Sequence, residues 1–289
     1  MKCRGFRYCR VLTVEEAVES FVSCEGEARF LAGGQSLLPA LNLRLSAPDL
    51  LIDISRVEGL RGITLEGSDL RIGALTRHVE VLHSPLVAEY APLLARAARF
   101  VAHPAIRNLG TFGGSLALAD PASEFPACVL ALNAQIEIAG LSGRRRVAAD
   151  DYFLGLYETA LEPGEILTAV YIPAGRTWQR VCFDELSRRR GDYALAGLAA
   201  QATFRDGGEV LTALRLVFCA LGSKPMRAQA AEAALLNTKV DAVAIEAAQH
   251  ALSQDLSPDE AEDLSSAARL HLARVLLGRV AHALREGAC

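Results

Sequence analysis

Two pairs of adjacent glycines constrain this chain more than any other feature. The first pair closes an apolar run in FLAGGQSLLPAL, residues 30–41; the second lies in TFGGSLALADP, residues 111–121, eighty positions downstream from Gly33 to Gly113. A strand that ends on Gly-Gly leaves several main-chain N–H groups at its tip free of Cβ crowding, and such groups can form an anion-binding nest. A Rossmann site needs Gly-x-Gly-x-x-Gly between a strand and a long helix, with an acid on the next strand. Here Gly33 and Gly34 are adjacent and Pro39 follows five residues after Gly34. The spacing excludes that fingerprint and points instead to two distant loops closing on one ligand.

The segments around the cassettes alternate strand and helix. Thr13 with Glu16 reads as a capping box, and Val14, Ala17, Val18, Phe21 and Val22 recur at helical spacing, so residues 14–23 form a short amphipathic helix. ARFLAGG reads as a buried strand ending at the glycines, and DLLIDIS (49–55) and DLRIGALT (69–76) as two more. A longer helix is expected near 86–102, followed by an irregular run from His103 to Glu124 that is long enough to need a function. Residues 126–134 read as a helix, 135–139 as a strand with a basic turn after it, and 165–173 as a strand. PAGRT then breaks the pattern near Pro173 to Thr177. Beyond it, WQRVCFDEL, YALAGLAAQATF and EVLTALRLVFCAL read as three strands of an antiparallel meander. Two short helices follow at 227–236 and 242–252, and Ser257-Pro258-Asp259-Glu260 reads as the start of a long one.

Composition narrows the ligand. A chain of 289 residues implies two or three packed units. The net charge of −4 is small, and no Lys/Arg run is interleaved with aromatics, which argues against nucleic acid. Arg144 to Arg146 and Arg188 to Arg190 read as solvated turns or strand ends. The basic start lacks an uninterrupted apolar stretch, and no segment reaches the roughly 18 apolar residues of a span, so the expectation is a cytoplasmic protein without membrane insertion. The seven cysteines form no C-x-x-C pair, which argues against a metal or iron–sulfur site in this chain. No Ser-His-Asp or Cys-His constellation is present, so no catalytic residue is assigned. His103 reads as structural, and His78, His250, His271 and His282 as surface or core residues.

AGGQSLLPALNLRL together with IRNLGTFGGSLALADPASEFPACVLAL resembles the FAD-binding medium subunit of molybdenum hydroxylases, the family of carbon monoxide dehydrogenase and xanthine dehydrogenase. The resemblance extends through PGEILTAVYIP, RRRGDYALAGLAA, SKPMRAQAAEAAL and ARLHLARVLLGRVAHAL, in order and over nearly the whole chain. It implies an α+β chain: a two-subdomain FAD-binding fold of the PCMH type (1–56 and 57–175), then a C-terminal flavoprotein domain (176–289) of a three-stranded antiparallel sheet plus helices. It implies noncovalent FAD, with the first phosphate loop at Ala32, Gly33, Gly34, Gln35, Ser36 and Leu37. The second loop falls on Thr111, Gly113, Gly114 and Ser115. Asp120 is similar to the acid on ribityl or ribose hydroxyls, Ile166 and Leu167 to main-chain and apolar contacts, and Asp192 with Tyr193 to the Asp-aromatic pair by the isoalloxazine. The implied partners are an iron–sulfur small subunit and a molybdopterin large subunit, with this chain's FAD handing electrons to an outside acceptor. Departures from the pattern are Leu118, Phe112, Leu109 and Ala268, the first two of which bear on redox tuning. A self-contained FAD oxidoreductase with the same flavin-domain type, and a non-catalytic nucleotide-binding module, remain open alternatives.

Overall fold

The computed structural model describes residues 3–174, 179–260 and 264–287. The chain opens with β1 (Arg7–Arg10), α1 (Val14–Val22), β2 (Ala28–Leu31), α2 (Leu37–Asn42) and β3 (Leu50–Asp53). The three strands form a parallel sheet in the order β1-β3-β2, with Arg7 and Ala28 both opposite Leu50. α1 follows from its sequence: Thr13 Oγ1 accepts from the Glu16 N–H at 3.1 Å. The Glu16 carboxylate reaches back one residue further than in a standard capping box, to Leu12 N at 2.8 Å. Its apolar face, Val14, Ala17 and Val18, packs with Ile52, Ile54, Val57 and Leu60.

Next come β4 (Ile63–Glu66), β5 (Asp69–Gly73), α3 (His78–His83), α4 (Pro85–Tyr90), α5 (Pro92–Ala97), α6 (Pro104–Arg107), α7 (Phe112–Leu118) and α8 (Glu124–Ala131). They are followed by β6 (Gln135–Gly140), β7 (Gly143–Ala148), α9 (Ala149–Tyr152), β8 (Phe153–Gly155), β9 (Glu158–Thr159) and β10 (Ile166–Pro173). An antiparallel five-stranded sheet runs β4-β5-β10-β6-β7. α8 is buried from Phe125 to Ala131, a stretch of apolar residues behind Glu124.

The remaining elements are β11 (Gln179–Ser187), β12 (Ala194–Arg205), β13 (Val210–Cys219), β14 (Met226–Arg227), α10 (Gln229–Leu235), α11 (Ala242–Asp255) and α12 (Ser266–Glu286). The meander of three strands gains a fourth, because β14 pairs with β13 through Val217–Arg227 and Phe218–Met226. α10, α11 and α12 pack against it around Leu252, Ala273, Leu276 and Val280.

Four local expectations are corrected. The helix expected at 86–102 is divided, because Pro92 cannot supply an N–H and Ala91 leaves helical geometry at φ −141°, ψ 54°. The irregular run at 103–124 contains α6 and α7. The basic cluster Arg144 to Arg146 is strand rather than turn: Arg145 pairs with Glu165 at 2.6 Å, Arg144 with Glu137 at 3.0 Å, and Arg146 lies over the Tyr171 ring. The last helix begins at Ser266, not near Pro258, with Ser265 Oγ accepting from Ala268 N. The pattern break at Gly175 to Thr177, and Cys289, lie outside the described residues; the other six cysteines are free thiols. Among the described residues no helix is long and apolar enough to cross a membrane.

Candidate functional site

The first cassette leaves the carboxyl end of the parallel sheet, where Leu31 stands opposite Asp53. Gly34 has φ +71°, a left-handed conformation in which a side chain is strained, and this turn carries the chain into α2. Gln35 Nε2 donates to the Gly33 carbonyl at 3.0 Å and closes the loop on itself. The main-chain N–H groups from Gly33 to Leu37 donate to no other described residue, so five successive donors are left at the strand tip. Such donors are what an anion-binding nest requires, and the loop leads directly into the start of a short helix.

The second cassette is built differently, and here the structure corrects the expectation of a matching nest. Thr111 is the N-cap of α7, and its Oγ1 accepts from Gly114 N at 3.2 Å. Phe112 N donates to Thr76 O and Gly113 N to Ala74 O, each at 2.8 Å. The glycines therefore supply close approach, not free N–H groups. A Cβ on Gly113 would lie 2.5 Å from the Ala74 Cβ and 2.8 Å from its carbonyl oxygen. What this side can offer an anion is the hydroxyl proton of Thr111, whose oxygen is already an acceptor, and the hydroxyl of Ser115.

The two loops touch. A Cβ on Gly33 would lie 2.3 Å from the Leu109 carbonyl oxygen and 3.0 Å from Gly110 Cα, and one on Gly114 would come within 4.0 Å of the Ala32 Cβ. The absence of side chains at Gly33 and Gly114 thus lets the two loops lie directly beside each other.

Downstream of α7, Ala119 takes a left-handed conformation at φ +52° and turns the chain to Asp120. Asp120 is buried; Oδ1 accepts from Ala122 N at 2.9 Å and Oδ2 from the Tyr157 hydroxyl at 3.5 Å. Tyr193 is 73% exposed. Burial, and then the charges of Asp120 and Glu124, raise its phenol pKa, and burial followed by Asp120 does the same to Tyr157. Asp192 is exposed, held by a turn from its N–H to Arg189 O at 3.1 Å. Gly191, at φ +87°, lies so close to the His103 imidazole that a Cβ would meet Cε1 at 2.5 Å, which brings the RRRGDY loop against the segment leading into the second cassette. Ile166 and Leu167 are each 4% exposed, Ile166 in the N-terminal core and Leu167 in the central one. Their side chains pack in cores, leaving main chain as what they can present.

Four residues at the site escaped the sequence reading: Tyr157, Glu124, Glu185 and His78. Burial pushes the Glu124 carboxyl up to about 8, with Glu185 and Asp120 adding to the effect and Arg107 opposing it. Burial, then Asp184, pushes Glu185 up to about 7, and its Oε2 has no hydrogen-bond partner. The available signal for Glu124 was an acid at the head of an otherwise apolar helix. For Glu185, on a strand of another sheet, no sequence pattern announced the meeting.

Known proteins match this chain over most of its length. The family model described as FAD binding domain in molybdopterin dehydrogenase matches residues 4–175, and that described as CO dehydrogenase flavoprotein C-terminal domain matches residues 181–284. The chain is 38% identical over 279 residues to 6-hydroxypseudooxynicotine dehydrogenase complex subunit alpha of Paenarthrobacter nicotinovorans, covering 96% of this chain and 94% of that protein. It is 38% identical over 259 residues to the carbon monoxide dehydrogenase medium chain of Hydrogenophaga pseudoflava, covering 90% and 89%. The solved carbon monoxide dehydrogenase of Hydrogenophaga pseudoflava lacking the Mo-pyranopterin moiety contains a chain that superposes with a TM-score of 0.96 at 36% identity, over 100% of both chains.

Proposed function

Because this chain belongs to the family of FAD-binding medium subunits of molybdenum hydroxylases, we propose that it holds FAD noncovalently between its two glycine cassettes and works as the electron-transfer subunit of such a complex. The observation that supports this reading is the run of N–H donors from Gly33 to Leu37 without a main-chain acceptor, on a loop whose Ala32 lies beside Gly114 of the second cassette. Ala32, Gly33, Gly34, Gln35, Ser36 and Leu37 hold one side of the pyrophosphate. Thr111 and Ser115 hold the other with hydroxyls, and Gly113 and Gly114 let the two walls approach. Asp120 accepts from ribityl or ribose hydroxyls, the main chain at Ile166 and Leu167 forms a floor, and Asp192 with Tyr193 borders the isoalloxazine. Bound FAD supplies the redox chemistry, and the chain sets its orientation, exposure and surroundings.

In this reading an iron–sulfur small subunit delivers the electrons that a molybdopterin large subunit takes from the substrate, and an outside acceptor receives them. Support comes from exposed apolar groups around the second cassette: Leu109, Tyr157 and Tyr193 are all at least half exposed, and stable interfaces desolvate such groups. The three larger of the four sheets support a division of the chain at about residues 56 and 175. Acid precipitation of the complex containing this chain tests the cofactor. FAD released into the supernatant, one per chain, is the expected result; flavin retained in the pellet, or absent from both fractions, contradicts the reading.

A further inference from the structure

The Thr76-Arg77-His78 segment is bound to the second cassette twice over. In the backbone, Phe112 N donates to Thr76 O at 2.8 Å, His78 N donates to Gly110 O at 3.0 Å, and Arg77 forms a bridge with Thr111. The His78 side chain then folds back onto the same stretch, with Nε2 2.9 Å from the Thr111 carbonyl oxygen. A carbonyl only accepts, so Nε2 carries the hydrogen. Nδ1 is then a bare lone pair, buried and without a partner. The ring is 7% exposed; Phe125 closes its other side edge-on at 5.0 Å and also packs against Phe112 at 5.0 Å. Gly110 is what lets the ring lie so near the main chain, since a Cβ there would meet Cε1 at 3.0 Å and Nδ1 at 3.1 Å.

We infer that His78 is a positioning residue for the phosphate side of the FAD site: its imidazole fixes the Thr111 carbonyl, and through it the first turn of α7 that carries the hydroxyls of Thr111 and Ser115. This rests on the FAD reading above and adds to it a residue outside both cassettes. Thr111 O also accepts from Ser115 N at 3.1 Å, so the imidazole hydrogen bond falls on the atom that sets the first turn of α7. An apolar ring of similar size would fill the space between Gly110 and Phe125 and leave that carbonyl held by the Ser115 N–H alone. Burial holds the His78 pKa down to about 4 against the opposing effect of Thr111, with the Arg107 charge adding to burial, so the imidazole is neutral at the pH of ordinary assays. A charged ring would carry a second N–H with no acceptor. His78 therefore holds its donor constantly and does not act as a switch.

The test uses the flavin-depleted complex and three ligands: FAD, ADP and riboflavin. ADP shares the diphosphate with FAD, and riboflavin shares only the ring and ribityl chain. His78→Phe is expected to weaken FAD and ADP by about tenfold each, the loss of one hydrogen bond, and to leave riboflavin unchanged. His78→Gln, which keeps an amide donor, is expected to recover most of that loss. Gly110→Ala, which pushes the ring off Thr111 without changing it, is expected to reproduce the phosphate-selective loss, and it serves alone if His78→Phe does not assemble. Unchanged FAD and ADP affinity in both His78→Phe and Gly110→Ala overturns the inference, and so does an equal loss of all three ligands. A wild-type complex that binds neither FAD nor ADP overturns the FAD reading itself.

Discussion

Added side chains at Gly34, Gly113 and Gly114 fail for three different reasons. Gly34→Val places a β-branched residue at φ +71° and against Leu38 Cδ1, where a Cβ alone would stand at 2.9 Å, so the open N–H row is distorted. Gly114→Val meets Thr111 Oγ1, at 2.7 Å from the added Cβ, and breaks the N-cap. Both variants are expected to assemble with flavin lost, read as the ratio of 450 nm to 280 nm absorbance; full flavin content in both sinks the phosphate assignment. Gly113→Ala drives a Cβ into the Ala74 backbone and is expected to lose the fold instead. Asp120→Ala lies between these cases. A hydrogen bond to a charged acceptor contributes about 1.5–3 kcal/mol, so FAD should bind roughly ten- to a hundredfold more weakly, and wild-type affinity would remove Asp120 from the site. Two half-buried acids add a pH dependence. Glu124 and Glu185 are raised in the folded state, so their protonation favours folding fully below the ordinary glutamate value, and that contribution is lost as pH rises through about 7 and about 8. Urea midpoints of the flavin-free chain should fall between pH 5 and pH 8.5, and Glu124→Gln should flatten the decline. An identical slope in the variant refutes the assignment.

The elements differ in how plainly the sequence announces them. α1 is legible because Thr13, Glu16 and the Val14-Ala17-Val18 face are local signals, and β2 because its strand ends on a glycine pair. α7 is not, since FGGSLAL has two residues of low helix propensity in its first turn. It forms because Thr111 caps it and because Phe112 and Leu116 are fully buried, and tertiary packing outweighs propensity in so short a helix. The same limit hides half of the site. The first cassette can be read from its glycines, but the roles of Glu124, Glu185 and His78 arise only where α8, β11 and α3 meet their neighbours. β14 is a further case, two residues long and specified by its partner strand. There, Glu232 of α10 accepts from the Leu216 N–H at 2.8 Å and pairs with Arg227 at 2.8 Å while itself buried. Glu232→Ala leaves a strand N–H and a guanidinium unpaired, and it should destabilise the C-terminal sheet by about 3 kcal/mol. Glu232→Gln should cost less; equal urea midpoints for Glu232→Ala and wild type would contradict this.

At the scale of the molecule, the cores cross the seams between sheets. Leu75, Ala139 and Ile166 belong to the N-terminal core, and Val181, Phe183, Val217 and Cys219 of the last sheet complete the central one. Shared cores therefore join the three larger sheets, and Asp120, Tyr157 and Tyr193 are neighbours in the folded chain. On the proposed reading the redox chemistry belongs to bound FAD, while desolvation holds the Glu124 and Glu185 carboxyls toward their neutral forms. The chain alone should therefore reduce dyes slowly from an artificial donor and oxidise no substrate of its own, an outcome checked by dye-coupled assay before and after partner subunits are added. The most direct test of the central claim is to isolate the tagged chain gently from its own cells and measure flavin, iron and molybdenum across the eluting peak. One FAD per chain, with iron and molybdenum rising and falling in step with it, is the result expected of a medium subunit. A chain that elutes alone with its flavin, free of both metals, and oxidises an organic substrate by itself would contradict the account.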